Sequence, residues 1–187
     1  MIEQTIGERL FRFNTADRLF SASHVDLGTL FLIRCLEIPP EGKLLDLGCG
    51  YGPIGLYMAA HAGPERVTML DIDPSATRYA RENAALNELD GIRFISGDGL
   101  SALPDAGYAL IACHPPYHSD FSVAKSFIEK GFNRLTIGGE MYMVVRRELW
   151  YRNKLTAIFG GLKIYEQDGY FVLRAQKRSE KYARKRT

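Results

Sequence analysis

The sequence predicts an α/β domain built on a mostly parallel sheet, with helices on both faces and an antiparallel hairpin at its C-terminal end. Three observations predict it. Between residues 43 and 158, short apolar runs alternate with segments of helical period, as in a sheet whose crossovers are helices. A glycine-rich turn, Asp46-Leu47-Gly48-Cys49-Gly50-Tyr51-Gly52-Pro53-Ile54-Gly55, joins the first clear strand to the helix after it. The alternation then stops: residues 163–166 and 170–175 read as two short strands around Gln167-Asp168-Gly169, a hairpin signal.

Taken in order, the first twenty residues read as mixed and partly exposed. A helix follows Asp26-Leu27-Gly28-Thr29, with Leu30, Ile33 and Leu36 at helical spacing. Strands are predicted at 43–48, 66–72, 92–96, 108–113 and 140–146, and helices at 53–62, 74–88, 121–134 and 148–158. Pro53 suits a first helical position, where its missing N–H costs nothing. Asp73-Pro74 combines a capping carboxylate with proline in the first turn.

The chain has 187 residues, 46% of them hydrophobic, enough for one domain with a full core. No apolar run reaches bilayer-spanning length, and the first residues lack the basic and apolar regions of a secretory signal. Cys35, Cys49 and Cys113 are odd in number and lack metal-ligand spacing. Reduced thiols, no metal and a cytoplasmic location are expected. Residues 177–187 carry Lys177, Arg178, Lys181, Arg184, Lys185 and Arg186 against Glu180, a charge of +5, while the whole chain is +2. The expected organisation is one domain over 1–176, with an N-terminal extension (1–20), and a basic tail over 177–187.

Gly50-x-Gly52-x-x-Gly55 formally matches the dinucleotide fingerprint. In a dinucleotide site the turn holds a pyrophosphate, which Asp46 at the strand end would repel. A ligand carrying positive charge and no phosphate fits better, and S-adenosyl-L-methionine (SAM), with an ammonium and a sulfonium, is one.

Four blocks together resemble the class I SAM-dependent methyltransferases, specifically the "methyltransferase small" group that includes ribosomal RNA guanine-N2 methyltransferases. They are Phe20-Ser21 with Asp26-Leu27-Gly28-Thr29, the glycine turn, Asp71-Ile72-Asp73-Pro74, and His114-Pro115-Pro116-Tyr117-His118. The resemblance spans roughly residues 18–176. It implies a Rossmann-like, seven-stranded, mostly parallel sheet ending in the hairpin. It also implies that Gly48, Cys49, Gly50 and Gly52 take the methionine part of SAM, with Asp46 near the ammonium. Asp71, beside Ile72, would accept from the ribose hydroxyls, and Asp98, beside Gly99, from the adenine amino group. Asp26, Gly28 and Thr29 would pack over the donor site. Bland roles stand beside these: Asp98 as a turn cap, Asp73 as a helix cap, Asp26 as the cap of its own helix.

Enzymes of this kind that methylate planar nitrogens carry Asn-Pro-Pro-Tyr or Asn-Pro-Pro-Phe at the reaction centre. A conjugated amino group is a poor nucleophile because its lone pair is delocalised. Two acceptors, the Asn oxygen and a backbone carbonyl beside the prolines, hold its hydrogens while the aromatic ring stacks on the base. Pro115, Pro116 and Tyr117 fit this plan, whereas His114 stands where the family has Asn. A neutral imidazole offers one acceptor and can take a proton; an imidazolium offers none. If His114 titrates ordinarily, the rate should fall as pH drops between about 8 and 5.5. The alternative is that His114 marks altered or lost chemistry. His118 reads equally as a substrate contact or a loop hydrogen-bonder; His24 and His61 read as ordinary polar positions.

The basic tail suits an RNA phosphate backbone, with Tyr182 available for stacking, or else is a solvated terminus. The leading expectation is methyl transfer to guanine N2 of ribosomal RNA. The alternatives are a protein glutamine amide or small molecule as acceptor, and a noncatalytic SAM- or RNA-binding module.

Overall fold

The structure, a computed structural model, describes residues 1–16, 21, 23–116 and 121–183. Strands β1 (Ile2–Ile6) and β2 (Arg9–Phe13) form an antiparallel hairpin, followed by α1 (Leu27–Cys35). The alternating part runs β3 (Lys43–Leu47), α2 (Pro53–Ala62), β4 (Val67–Asp71), α3 (Pro74–Leu86), β5 (Arg93–Ser96), β6 (Tyr108–Cys113), α4 (Phe121–Arg134), β7 (Leu135–Val145) and α5 (Glu148–Phe159). The chain then returns through β8 (Lys163–Gln167) and β9 (Tyr170–Gln176).

The main sheet has seven strands in the order β5-β4-β3-β6-β7-β9-β8. The first five pair in parallel, and β9 runs antiparallel to both neighbours, as the alternation and the hairpin signal predict. One buried cluster joins the N-terminal hairpin, α1, α2 and α3 to one face; a second joins α4 and α5 to the other. Sequence order reverses between β3, which leads outward to β4, and β6 on its other side. The loops leaving the C-terminal ends of β3 and β6 therefore splay apart there, which makes a crevice.

Two segments differ from the sequence expectation. The first residues are an ordered hairpin whose Phe11 and Phe13 are fully buried. Asn83 of α3 and Asn87 at its C-cap, one turn apart, serve β2 and its continuation in place of a neighbouring strand. Arg12 N–H donates to Asn87 Oδ1 (3.0 Å) and Asn87 Nδ2 to the Arg12 carbonyl (2.7 Å). Asn14 N–H donates to Asn83 Oδ1 (2.7 Å), and Asn83 Nδ2 reaches the Asn14 carbonyl (2.9 Å) and the Tyr51 carbonyl (2.8 Å). Fully buried, Asn83 thus ties the hairpin to the glycine turn.

Strand β7 also begins earlier than predicted, because the backbone of Lys177 pairs with Gly138 and Gly139 and extends the ladder through two residues that carry no strand signal. The structure continues past residue 176 in the same way. Lys177 is buried, its ammonium donates to the Leu135 carbonyl (2.8 Å), and it lies 5.0 Å from the Phe132 ring centroid. Tyr182 packs edge-on against Phe132 at 5.0 Å, and Ala183 N–H donates to the Ile158 carbonyl (2.9 Å).

Candidate active site

The crevice holds a cavity of about 420 Å³. One wall is the glycine turn after β3 and the end of β4. Gly48, Gly50 and Gly52 all have positive φ (76°, 55° and 106°), which lets the chain reverse within five residues of β3 and present its backbone to the cavity. The turn is fixed from below by backbone bonds: Gly48 and Cys49 N–H donate to the Leu70 carbonyl (2.8 and 3.0 Å). Asp71 fixes it from the side, since its Oδ2 accepts Gly50 N–H (2.9 Å) while Oδ1 accepts Asp73 N–H (3.0 Å). Each of these oxygens keeps a second lone pair.

Asp46 lies beneath this wall. It is fully buried, Oδ2 accepts Gly55 N–H of α2 (2.7 Å), and Oδ1 has no partner. Burial pushes its carboxyl up to about 7; the bond from Gly55 opposes that shift and the Asp71 charge adds to it. A cationic ligand above the turn would offset both the desolvation and the repulsion. The donor set therefore fits SAM better than a pyrophosphate.

The opposite wall is the end of β6. Register pairs Leu47 of β3 with Cys113, so His114, Pro115 and Pro116 leave the sheet level with the glycine turn and line the same cavity. The His114 side chain is 6% exposed. Its Nδ1 lies 2.9 Å from Thr29 Oγ1 and 3.6 Å from Asp26 Oδ2. Burial depresses its pKa to about 4, with the Asp26 charge opposing and the Arg146 charge adding to the fall. The expectation of titration between about pH 5.5 and 8 for an ordinary histidine is therefore revised: the imidazole is neutral across that window.

Among the other predicted site residues, Asp26, Thr29, Cys49, Ile72 and Asp98 also line the cavity. Asp26 does two things at once, capping α1 through Thr29 N–H (3.0 Å) and facing His114. Asp73 caps α3 through Ser75 N–H (2.8 Å) and reaches the rim. The Asp98 carbonyl accepts Ser101 N–H (3.2 Å), while Ile72 is 67% exposed at the edge. Gly28 and Gly52 sit behind the walls: a Cβ on Gly28 would run into the Tyr170 ring, and one on Gly52 would meet Met69 at 2.9 Å. Gly99 lies in the short 3-10 turn after β5. Tyr117 and His118 lie outside the described residues. The His24 and His61 rings bond locally, to Ser23 and to the Tyr57 carbonyl, and the His24 carbonyl accepts from the Ser21 and Tyr51 hydroxyls.

Sequence reasoning missed Tyr51, Val123, Ser126 and Phe127, all of which line the cavity. Phe127 lies over Gly48, 3.7 Å from where a Cβ would stand. The i, i+3, i+4 spacing of Val123, Ser126 and Phe127 was the available signal, but it says only that these residues share a helix face. Burial pushes the Cys49 and Cys113 thiols up, so neither is a thiolate nucleophile. Among the described residues no group of His, Cys, Asp and Glu could hold a metal ion, and no helix is long and apolar enough to cross a membrane.

Sheet order, glycine turn and the proline motif across from it define a class I methyltransferase domain. Residues 10–174 match the methyltransferase small domain, and the chain belongs to that family. It is 31% identical over 173 residues to YbxB of Bacillus subtilis, a protein of uncharacterised function, covering 89% of this chain and 86% of that one. It is 34% identical over 162 residues to ribosomal RNA small subunit methyltransferase C of Pseudomonas putida, covering 84% of this chain and 48% of the relative. The chain thus spans about half the length of that enzyme. Among solved structures, the T. thermophilus 16S rRNA N2 G1207 methyltransferase, in complex with AdoMet and guanosine, superposes with a TM-score of 0.86 at 28% identity. That match covers 95% of this chain and 50% of the other.

Proposed function

We propose that the protein transfers the methyl group of SAM to an exocyclic amino group, guanine N2, of ribosomal RNA. The observation that carries this reading is that His114, Pro115 and Pro116 open onto the same cavity as the glycine turn and Asp71. SAM, when bound, supplies an electrophilic methyl group on a sulfonium. The backbone of Gly48, Cys49 and Gly50 binds its methionine part, over the carboxylate of Asp46. Asp71 accepts from the ribose hydroxyls with its remaining lone pairs, while Ile72 and Asp98 flank the adenine. Gly52 supports the turn from behind, against Met69, while Gly28 makes room for Tyr170 behind the other wall, and Phe127 shields the turn from water.

On the acceptor wall, neutral His114 accepts a hydrogen of the amino group. The prolines, which have no N–H, direct carbonyls toward it, and Tyr117 stacks on the base. Acceptance by ribosomal RNA is what the Pseudomonas and Thermus relatives are named for. On this chain, exposed Arg178 and Lys181, with Arg184, Lys185 and Arg186 beyond the described residues, extend a basic tail suited to phosphates. Lys177 is excluded from that role by its burial. Beside the acceptor wall, exposed Arg147 and Leu149 adjoin Trp150, whose ring stacks on Phe121 at 4.3 Å, an aromatic and basic surface suited to flanking nucleotides. Such a substrate and reduced cysteines go with a cytoplasmic location.

The test is incubation with methyl-labelled SAM and three acceptors: deproteinised RNA, ribosomal subunits and soluble protein. Label in RNA that digests to N2-methylguanosine supports the proposal. Label confined to protein, or none while SAM binds, contradicts it. Replacing Arg178, Lys181, Arg184, Lys185 and Arg186 with Gln should weaken RNA methylation and reduce its salt sensitivity, leaving SAM affinity unchanged.

A further inference from the structure

His114 is held by a chain of side chains drawn from four separate elements. Its Nδ1 meets Thr29 Oγ1 at 2.9 Å and Asp26 Oδ2 at 3.6 Å. Asp26 is fixed in turn: Oδ2 accepts Thr29 N–H (3.0 Å) and Oδ1 accepts the Tyr170 hydroxyl (3.1 Å). The Tyr170 oxygen accepts from Arg146 Nη2 (2.7 Å), and the Arg146 guanidinium lies 4.2 Å from the Tyr170 ring centroid. Tyr170 is buried against Gly28, whose missing side chain makes room for the ring. The start of α1, β9 and the residue after β7 are thus linked in one series that ends on Nδ1 of His114, the residue after β6.

A neutral imidazole has two tautomers, and the partner of one nitrogen decides the state of the other. A lone pair on Nδ1 would face the Asp26 carboxylate, which can only accept, whereas the Thr29 hydroxyl can serve either state. A proton on Nδ1 is attracted by the carboxylate and accepted by Thr29 Oγ1. We propose that Asp26 and Thr29, braced by Tyr170, are positioning residues that fix His114 as the Nδ1–H tautomer, so that Nε2 is the acceptor for the attacking amino group and then the base that takes its proton. The inference rests on the methyl-transfer reading and goes beyond it, because it gives residues matched to the donor site a task at the acceptor.

The step balances. The amino nitrogen's lone pair forms the N–CH3 bond as the S–CH3 bond breaks, with that pair staying on sulfur. The nitrogen, now cationic, loses a proton to Nε2, and solvent removes it from the imidazolium. A protonated amine conjugated to a base is a strong acid, so even a weakly basic imidazole accepts its proton downhill. An Asn in this position could accept a hydrogen bond but could not hold the proton. Among the described residues, the charges that bear on His114 are Asp26, which favours the imidazolium, and Arg146, which disfavours it. Asp26 therefore also steadies the imidazolium while it lasts.

The test reads the tautomer directly. With only four histidines in the chain, 15N-histidine NMR on the full-length protein can assign His114 by its loss in H114N. The expected spectrum has a protonated Nδ1 and an unprotonated Nε2 from about pH 5.5 to 8, with or without SAM. Thr29→Val should shift the population toward Nε2–H and lower kcat about 10-fold at unchanged KM for SAM, and Thr29→Ser should restore both. Nε2–H in the unaltered protein, or a tautomer indifferent to Thr29→Val, overturns the inference even if methyl transfer is intact. Nδ1–H with no transfer to any acceptor leaves the tautomer assignment standing and overturns the methyl-transfer reading instead.

Discussion

The two walls of the cavity are held in different ways. On the donor side, polar side chains bind backbone: Asp46 to Gly55, Asp71 to Gly50 and Asp73, Asn83 to Tyr51. On the acceptor side, side chain binds side chain at His114–Thr29, Asp26–Tyr170 and Tyr170–Arg146, and Asp26 joins these contacts by accepting the Thr29 backbone N–H. A backbone-anchored wall keeps its shape whatever most neighbouring side chains are, and suits a ligand that does not change. A wall of linked side chains sets protonation and tautomer, and one substitution reaches through the series. His114 in place of the family's Asn falls on the second wall, where new chemistry can be introduced without disturbing the first.

The largest effect on SAM binding should come from breaking the donor wall itself. Asp71→Ala removes the partner of two backbone amides and, on the proposed reading, of the ribose, and should weaken SAM binding about 100-fold by calorimetry, two charged hydrogen bonds being worth roughly 3 kcal/mol together. An affinity within a factor of three of wild type would remove Asp71 from the site. Next, Asn83→Ala unpairs a buried carbonyl at Tyr51 and half-buried backbone groups at Asn14 and should cost about 2–4 kcal/mol in urea unfolding. A cost under 1 kcal/mol would show that the hairpin is not tied to the turn in this way.

Gly28→Ala sharpens the contrast between the walls. By pushing the Tyr170 ring aside it should cost about 1–3 kcal/mol of stability and slow transfer, while SAM affinity stays within 2-fold. A parallel loss of SAM affinity would mean the two walls are one unit.

The smallest effect concerns Asp46. Its folded value of about 7 stands above the ordinary 3.8, so the folded state binds more protons than the unfolded one between those values. Its contribution to stability is therefore full below about pH 4 and is lost as pH rises through 7. His114 acts in the opposite sense. Depressed to about 4 from 6.5, its contribution is present above 6.5 and lost as pH falls toward 4. Asp46→Asn should flatten the decline between pH 6 and about 8 in ligand-free protein, and an unchanged slope would assign that decline elsewhere.

The donor wall was largely legible in the sequence because its two motifs, the glycine turn and Asp71-Ile72-Asp73-Pro74, are each contiguous. Their glycines, capping carboxylate and Pro53 imply a turn and two helix starts, although the bonds that join the turn to Leu70 and Asp71 are long-range. His114-Pro115-Pro116 was legible for the same reason. What escaped was the long-range part. The Tyr170–Asp26 bond joins residues 144 positions apart, and nothing near Tyr170 marks it as more than a strand residue. Nothing in the sequence sets Asn83 and Asn87 apart from the rest of the helix predicted over 74–88, and the hairpin they hold read as mixed. Lys177 read as tail charge, whereas the two adjacent glycines it pairs with draw it into the sheet.

The most direct test measures both walls in one protein. With His114→Ala, SAM affinity and N2-methylguanosine formation in RNA are determined on the same preparation. The predicted result is a Kd for SAM within 2-fold of wild type and a loss of product of about 10²–10⁴, the usual contribution of a positioned acid–base group. Undiminished product, or SAM affinity falling in step with it, would contradict the account.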